Sequence, residues 1–266
     1  MSLSSSLSPS DVVTMLRAAG CVFAEDEARL LISAAGTSDD LAAMVERRVS
    51  GQPLEHVVGW AGFHGLRVAV GPGVFVPRRR TEFLVDQALA VTPPRARPVV
   101  VDLCCGSGAV GAALAAALGP VELHASDLDP AAVRCARRNL AELGARVYQG
   151  DLYEPLPATL RGRVDLLAAN APYVPTAAVA LLPSEARDHE PMTALDGGAD
   201  GLDILRRVIA GAPGWLAPGG HLLVETSERQ APRLVETADR HGLPARVAVS
   251  GEADATVVIV TRPATS

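Results

Sequence analysis

The chain contains no lysine: all 24 of its Lys and Arg residues are arginine. That absence excludes a P-loop nucleotide site, which needs a lysine ammonium on the phosphates. With alanine so abundant, the bias reads first as GC-rich coding and only second as selection for guanidinium contacts. A basic field is also missing. The net charge is −6, which argues against stable binding to a nucleic-acid backbone. Cysteine is sparse, and Cys21, Cys104, Cys105 and Cys135 match no metal spacing. Adjacent Cys104 and Cys105 are poorly placed to bridge each other, so reduced thiols are expected. The six histidines show no ligand spacing either, and no metal site is expected. No stretch approaches the roughly 20 apolar residues of a membrane span. Met1 to Ser10 lacks a charged segment leading into an apolar one and does not read as a signal peptide. A soluble, cytoplasmic protein is the expectation, with no internal repeat.

What is present is length and apolar content. With 266 residues, 48% of them hydrophobic, the chain can build one large α/β domain and a small companion. Residues 9–50 read as helices: one from Pro9-Ser10-Asp11 to Gly20, then Glu25 to Ala35, then Ser38 to Val49 behind a Ser-Asp-Asp cap. Such short helices must pack on each other or on something larger. From Val57 to Val76, glycines interleave with Val, Phe and Leu, which predicts a β-hairpin with Gly71-Pro72-Gly73 in its turn. Thr81 to Ala90 is a helix, and Pro93, Pro94 and Pro98 mark a linker.

Beyond Pro98 strands and helices alternate. Strands are expected at Val99–Leu103, Val121–Ala125, Arg146–Gln149, Val164–Ala169 and His221–Glu225, the last after a Pro218-Gly219-Gly220 turn. Helices are expected at Ala109–Leu118, Pro130–Leu143, Ile204–Ala210 and Ala231–His241. This alternation predicts a doubly wound, mostly parallel sheet. Two late β-rich runs, Ala245–Val249 and Thr256–Thr261, have no helix between them and predict an antiparallel hairpin at one edge. The domain reading is 1–56 for a helical unit that docks substrate, 57–84 for a hairpin linker and 85–266 for the sheet domain.

The ends of the first strands carry the chemistry. Asp102-Leu103-Cys104-Cys105-Gly106-Ser107-Gly108 leads straight into a helix, and its glycines let backbone approach a ligand. Alone, this is equally the look of a tight β–α turn. With Gly111 it also spells the dinucleotide fingerprint, although Asp102 would oppose a nearby pyrophosphate. The second strand ends in Ser126-Asp127-Leu128-Asp129-Pro130. A carboxylate there can accept from both ribose hydroxyls, a role given to Asp127, while Asp129 before Pro130 reads as a helix N-cap. Asp151, in Gly150-Asp151-Leu152, can accept from the exocyclic amine of adenine, with Leu152 against the ring. A nucleoside ligand without a phosphate-binding lysine points to S-adenosylmethionine.

The fourth strand ends in Asn170-Ala171-Pro172-Tyr173. An Asn at the carboxyl end of a strand can recognise a planar amide or amino group. Over these segments the chain resembles the HemK/PrmC-type protein-(glutamine) methyltransferases, which modify a Gln side-chain amide in peptide chain release factors. The resemblance runs from about Gln52 to the last strands. It is carried by Gln52-Pro53-Leu54, Phe63-His64-Gly65, Val76-Pro77-Arg78 with Thr81-Glu82, the glycine loop and Asp127. It continues through Asn170 to Tyr173, Glu190-Pro191 with Ala194-Leu195, and Gly198 to Leu202. Three departures mark a diverged member: Ala171 for the first proline of Asn-Pro-Pro-Tyr, Arg79-Arg80 within the Pro-Arg-Pro-Glu-Thr-Glu motif, and Cys104 for glycine.

The resemblance implies a class I, Rossmann-like S-adenosylmethionine-dependent methyltransferase acting on a protein glutamine. Asn170 Oδ1 and the Ala171 carbonyl would accept the two N–H bonds of the acceptor amide, and Tyr173 would cover its aliphatic stem. Pro172 keeps Ala171 extended, but alanine forfeits the stiffness of the usual proline. Arg78 and Glu190 read as a salt bridge as readily as site closers, and Arg78-Arg79-Arg80 reads as a solvated face. The runner-up reading is an adenine amino methyltransferase on DNA or RNA. A third is a non-catalytic module that binds the cofactor and a partner.

Overall fold

A computed structural model describes residues 7–264. The segment Met1 to Ser10, read as no signal peptide, therefore lies largely outside the described residues. Among the described residues no helix is long and apolar enough to cross a membrane.

The N-terminal helices are α1 (Pro9–Ala18), α2 (Ala24–Ala34), α3 (Ser38–Val49) and α4 (Leu54–Val58). Ser8 and Asp11 form a capping box at α1, satisfying donors that the first turn leaves unpaired. Thr37, one residue ahead of the expected cap, holds the start of α3. Val12, Leu16, Ala28, Leu31 and Val45 build a separate small core. Arg48 of α3 is buried; it donates to both carboxylate oxygens of Glu27 and pairs with Glu185.

The hairpin is smaller than expected and turns elsewhere. Strands β1 (Trp60–Phe63) and β2 (Leu66–Ala69) pair antiparallel around His64-Gly65. Both turn residues have positive φ, 47° and 75°, the twist that matches two right-handed strands. Gly71-Pro72-Gly73 follows the hairpin, and Val57 and Val58 belong to α4. Asn139 ties the hairpin down: its amide pairs with both the N–H and the carbonyl of Ala69 and also donates to the Ser107 carbonyl.

The main sheet has seven strands: β3 (Val99–Leu103), β4 (Glu122–Asp127), β5 (Arg146–Gln149), β6 (Val164–Ala169), β7 (Leu216–Thr226), β8 (Ala245–Ser250) and β9 (Ala255–Thr261). Their order is β5-β4-β3-β6-β7-β9-β8. The first five pair in parallel, and β9 pairs antiparallel with β7 and β8. This is the expected doubly wound sheet with an antiparallel edge. Strand residues alternate between two cores. Val99, Val101 and Leu103 face one layer, whereas Val100 faces the other, because successive side chains point to opposite sides.

The covering helices are α5 (Glu82–Val91), α6 (Ala109–Leu118), α7 (Pro130–Asn139), α11 (Asp203–Gly211) and α12 (Ala231–Arg240). Between β6 and α11 lie α8 (Thr176–Val179), α9 (Ser184–His189) and α10 (Met192–Leu195). These three have only four to six residues each, too few to show a helical period in sequence. Other boundaries differ too: α7 ends at Asn139, short of the expected Leu143. β7 runs straight through Pro218-Gly219-Gly220, with a register shift against β6 between Val164 and Leu166 absorbing the irregularity. β4 extends through Asp127, carrying that carboxylate to the strand's last position.

Candidate active site

The site lies where the strand order reverses, at the carboxyl ends of β3 and β6, the place where open α/β sheets bind ligands. Loops after β3, β4, β5 and β6 converge there on one cavity of about 540 Å³, within the range of small-molecule sites. Asp102, Cys104, Cys105, Gly106, Ser107, Asp127, Leu128, Asp151 and Leu152 line it, together with Asn170, Ala171, Pro172 and Tyr173. Gly108 does not. It has φ 79° at the start of α6 and packs against Leu140.

The β3–α6 loop winds through positive φ at Cys104 (54°) and Gly106 (54°). A non-glycine residue there costs about 1–2 kcal/mol, so Cys104 carries strain that the usual glycine avoids. Among the described residues, and apart from its chain neighbours, no heavy atom lies within 4 Å of where a Gly106 Cβ would sit, so that space is open to a ligand.

Asp102 is fully buried and accepts the Gly111 N–H at 2.9 Å. A Cβ on Gly111 would sit 3.2 Å from the same oxygen; the glycine is there for close approach of the carboxylate. Burial pushes the Asp102 carboxyl up to about 7, with the Asp127 charge adding to the rise. Asp127 accepts from the Gly106 N–H at 2.8 Å and the Asp129 N–H at 2.9 Å. A carboxylate has about four acceptor positions, so capacity remains for a diol. Burial raises the Asp127 pKa as well. Asp129 caps α7 through the Ala131 N–H, with Pro130 following. Asp151 is not free: one oxygen pairs with Arg207 at 2.6 Å.

Asn170 directs its Nδ2 to the Thr81 hydroxyl at 3.2 Å. The Tyr173 hydroxyl donates to Glu225 at 2.9 Å, and Arg80 Nε reaches the same oxygen at 3.2 Å. Burial, then the Glu225 charge, pushes the Tyr173 phenol far above its ordinary range. Glu225 is buried, and its other oxygen, Oε2, has no hydrogen-bond partner among the described residues. The Tyr173 carbonyl accepts from Gln230 Nε2 at 2.9 Å.

The arginine run is a solvated face only in part: Arg79 and Arg80 are exposed, but two of the three guanidiniums reach buried carboxylates. Arg78 donates to fully buried Glu190 at 2.5 Å and lies over the Phe75 ring, and Arg80 reaches Glu225. Their partners are more than 100 residues away in sequence, which spacing does not reveal. Glu190 also accepts the Val76 N–H. Sequence reasoning missed Phe75, Thr81, Leu182 and Glu185 as cavity walls. Thr81 stood inside a motif with no role assigned, and Leu182 and Glu185 fall in the aperiodic stretch before α10.

The lining chemistry selects the ligand. Three carboxylates surround the loops after β3, β4 and β5, with Leu128 and Leu152 beside them. That set suits a hydroxyl-bearing cation with a flat base and repels phosphates. S-adenosylmethionine, a sulfonium and ammonium on a nucleoside, fits these residues. Fold and site together define a class I methyltransferase that uses S-adenosylmethionine. The "Methyltransferase small domain" family matches residues 66–182. A release factor glutamine methyltransferase of Geobacter sulfurreducens is 40% identical over 209 residues, 77% of this chain and 72% of that protein. A 4-amino-L-phenylalanine/4-methylamino-L-phenylalanine methyltransferase of Streptomyces pristinaespiralis is 40% identical over 191 residues, 70% of this chain and 65% of that protein. The solved 16S rRNA N2 G1207 methyltransferase of T. thermophilus, in complex with AdoMet and guanosine, shares the fold. Its TM-score is 0.54 at 20% identity, covering 76% of this chain and 49% of that one. The chain belongs to the release factor glutamine methyltransferase family.

Proposed function

We propose that this enzyme methylates the side-chain amide nitrogen of a glutamine in a peptide chain release factor, in the cytoplasm, with the N-terminal helices docking that substrate. The observation that carries the reading is the clamp Asn170-Ala171-Pro172-Tyr173, which lines the same cavity as the three acidic loops. Bound S-adenosylmethionine supplies an electrophilic methyl group. Asp127 would hold the ribose hydroxyls, and Asp102, lining the same cavity, would add negative charge beside the ligand. Asn170 Oδ1 and the Ala171 carbonyl accept the two N–H bonds of the glutamine amide and aim its nitrogen.

An amide nitrogen is a weak nucleophile, so rate comes from positioning and electrostatics. Tyr173 covers the glutamine stem, its hydroxyl held by Glu225. The apolar rim contributed by Phe75, Pro77, Leu182 and Pro191 excludes water and strengthens these bonds. A second reading, a free aryl amine as acceptor, draws on the aromatic walls Phe63 and Phe75 and on the relative that acts on 4-amino-L-phenylalanine.

The test is transfer of labelled methyl to purified release factor, to 4-amino-L-phenylalanine and to total nucleic acid. Label on a release-factor glutamine supports the proposal. Label on the aryl amine alone moves the assignment to the second reading, and label in nucleic acid overturns both. Asn170→Ala should abolish transfer and leave the affinity for S-adenosylhomocysteine unchanged. A large loss of that affinity would show Asn170 serving the cofactor instead.

A further inference from the structure

We propose that Thr81 is a positioning residue that anchors the Asn170 amide on the turn, so that an acceptor's own N–H bonds meet Oδ1 on the cavity side and substrates bearing N–H are selected. The inference rests on the reading above for its acceptor and on separate geometry for the residue. Thr81 is buried, 2% exposed, in the short 3₁₀ turn that leads into α5. It comes from a segment 89 residues ahead of Asn170.

A side-chain amide has two faces of opposite polarity, and a simple flip exchanges them. With Nδ2 donating to Thr81 Oγ1, Oδ1 is left for the cavity. The flipped amide would set its NH₂ against the N–H bonds of an incoming amide, donor against donor. Leaving such a buried donor unpaired costs about 1–3 kcal/mol, which biases the amide strongly toward one face.

The Thr81 hydroxyl partners the amide edge whichever way it accepts or donates; what it fixes is the edge's position, because its own backbone cannot drift. The Thr81 N–H donates to the Arg78 carbonyl at 2.9 Å. Arg78 is anchored on Glu190, and Arg80 on Glu225. Two buried carboxylates thus anchor the turn just ahead of the hydroxyl. Glu225 also holds Tyr173, so the turn and the acceptor loop share an anchor.

The experiment compares Thr81→Val, which removes the hydroxyl at nearly constant shape, with Thr81→Ser, which keeps it. In the full-length protein, Thr81→Val should lower kcat for release-factor methylation by roughly ten- to a hundredfold. S-adenosylhomocysteine affinity should not change, and Thr81→Ser should recover most of the rate. A residue that only supports packing would be rescued equally by valine, or would disturb cofactor binding and kcat together; either result overturns the proposal. The second measurement needs no acceptor. ¹⁵N NMR of the Asn170 side-chain amide should show an exchange-protected NH₂ in the parent and in Thr81→Ser, and an unprotected one in Thr81→Val. Identical Asn170 signals in the parent and Thr81→Val overturn the proposal. If the parent fails to methylate release factor, the function proposed above falls, and the NMR comparison still decides the role of Thr81.

Discussion

Gly201→Ala should damage transfer without touching the cofactor loops. Gly201 has φ 78°, and a Cβ there would lie 2.3 Å from the Tyr173 carbonyl oxygen and 2.5 Å from Gln230 Nε2. Gln230 is a side chain and can swing aside; the Tyr173 carbonyl is backbone and cannot. Relief to a tolerable 3.0 Å requires a shift of roughly 0.7 Å in the acceptor loop, close to the 1 Å misplacement that costs about a hundredfold in rate. Left-handed backbone at alanine adds about 1–2 kcal/mol, and overpacking about 1–3 kcal/mol. The variant should lose about 2–5 kcal/mol in urea denaturation, with kcat down on the order of a hundredfold. Gly201 does not line the cavity, so calorimetric affinity for S-adenosylhomocysteine should match the parent. Parental stability and rate would refute the bracing of Tyr173 from behind. Joint loss of binding and rate would place the damage in the cofactor loops instead.

Glu190→Gln removes a fully buried charge from beside Arg78 and should cost about 2–4 kcal/mol, read by urea denaturation; a loss under about 1 kcal/mol would show the pair to be incidental. Asp102 governs a pH dependence of the ligand-free protein. Its folded pKa, about 7, is raised from 3.8, so its stabilising contribution is complete below the ordinary carboxylate range and is lost as the pH rises through about 7. The fall in urea midpoint between pH 5 and pH 8 should therefore shrink in Asp102→Asn, and an unchanged slope would rule out Asp102 as its source. Asp127→Asn puts an NH₂ against one of two backbone N–H donors and should weaken S-adenosylhomocysteine binding by more than about tenfold, measured by calorimetry; a change within twofold would remove Asp127 from the cofactor site.

The cofactor half of the molecule was legible because its signals are local. Val99–Leu103 and Val164–Ala169 are short, mostly apolar runs, Arg146–Gln149 is a short stretch closed by Gly150, and the strands have those bounds. The hairpin turn was misplaced because Gly71-Pro72-Gly73 is the stronger turn composition. The chain turns at His64-Gly65, where two consecutive positive φ angles match the strand twist. Pro218-Gly219-Gly220 was misread for a related reason: a parallel strand can absorb a bulge if its neighbour shifts register, and β6 does. The acceptor half was only partly legible. Asn170 to Tyr173 announced itself through a four-residue motif, but its supports Thr81, Glu225 and Gln230 are joined to it by folding alone. No periodicity or spacing connects an arginine run to a glutamate more than 100 residues downstream.

The anchoring of Arg78, Arg80 and Thr81 on Glu190, Glu225 and Asn170 limits how this enzyme can be divided. A chimera that swaps everything ahead of α5 would also replace the guanidiniums that pair with two buried carboxylates and the hydroxyl that faces Asn170. Its cofactor loops, made wholly from β3 onward, would survive such an exchange. On the function proposed here, methyl-donor binding is expected to be portable between relatives as a module. Acceptor handling is expected to travel only as a matched pair of front and rear segments.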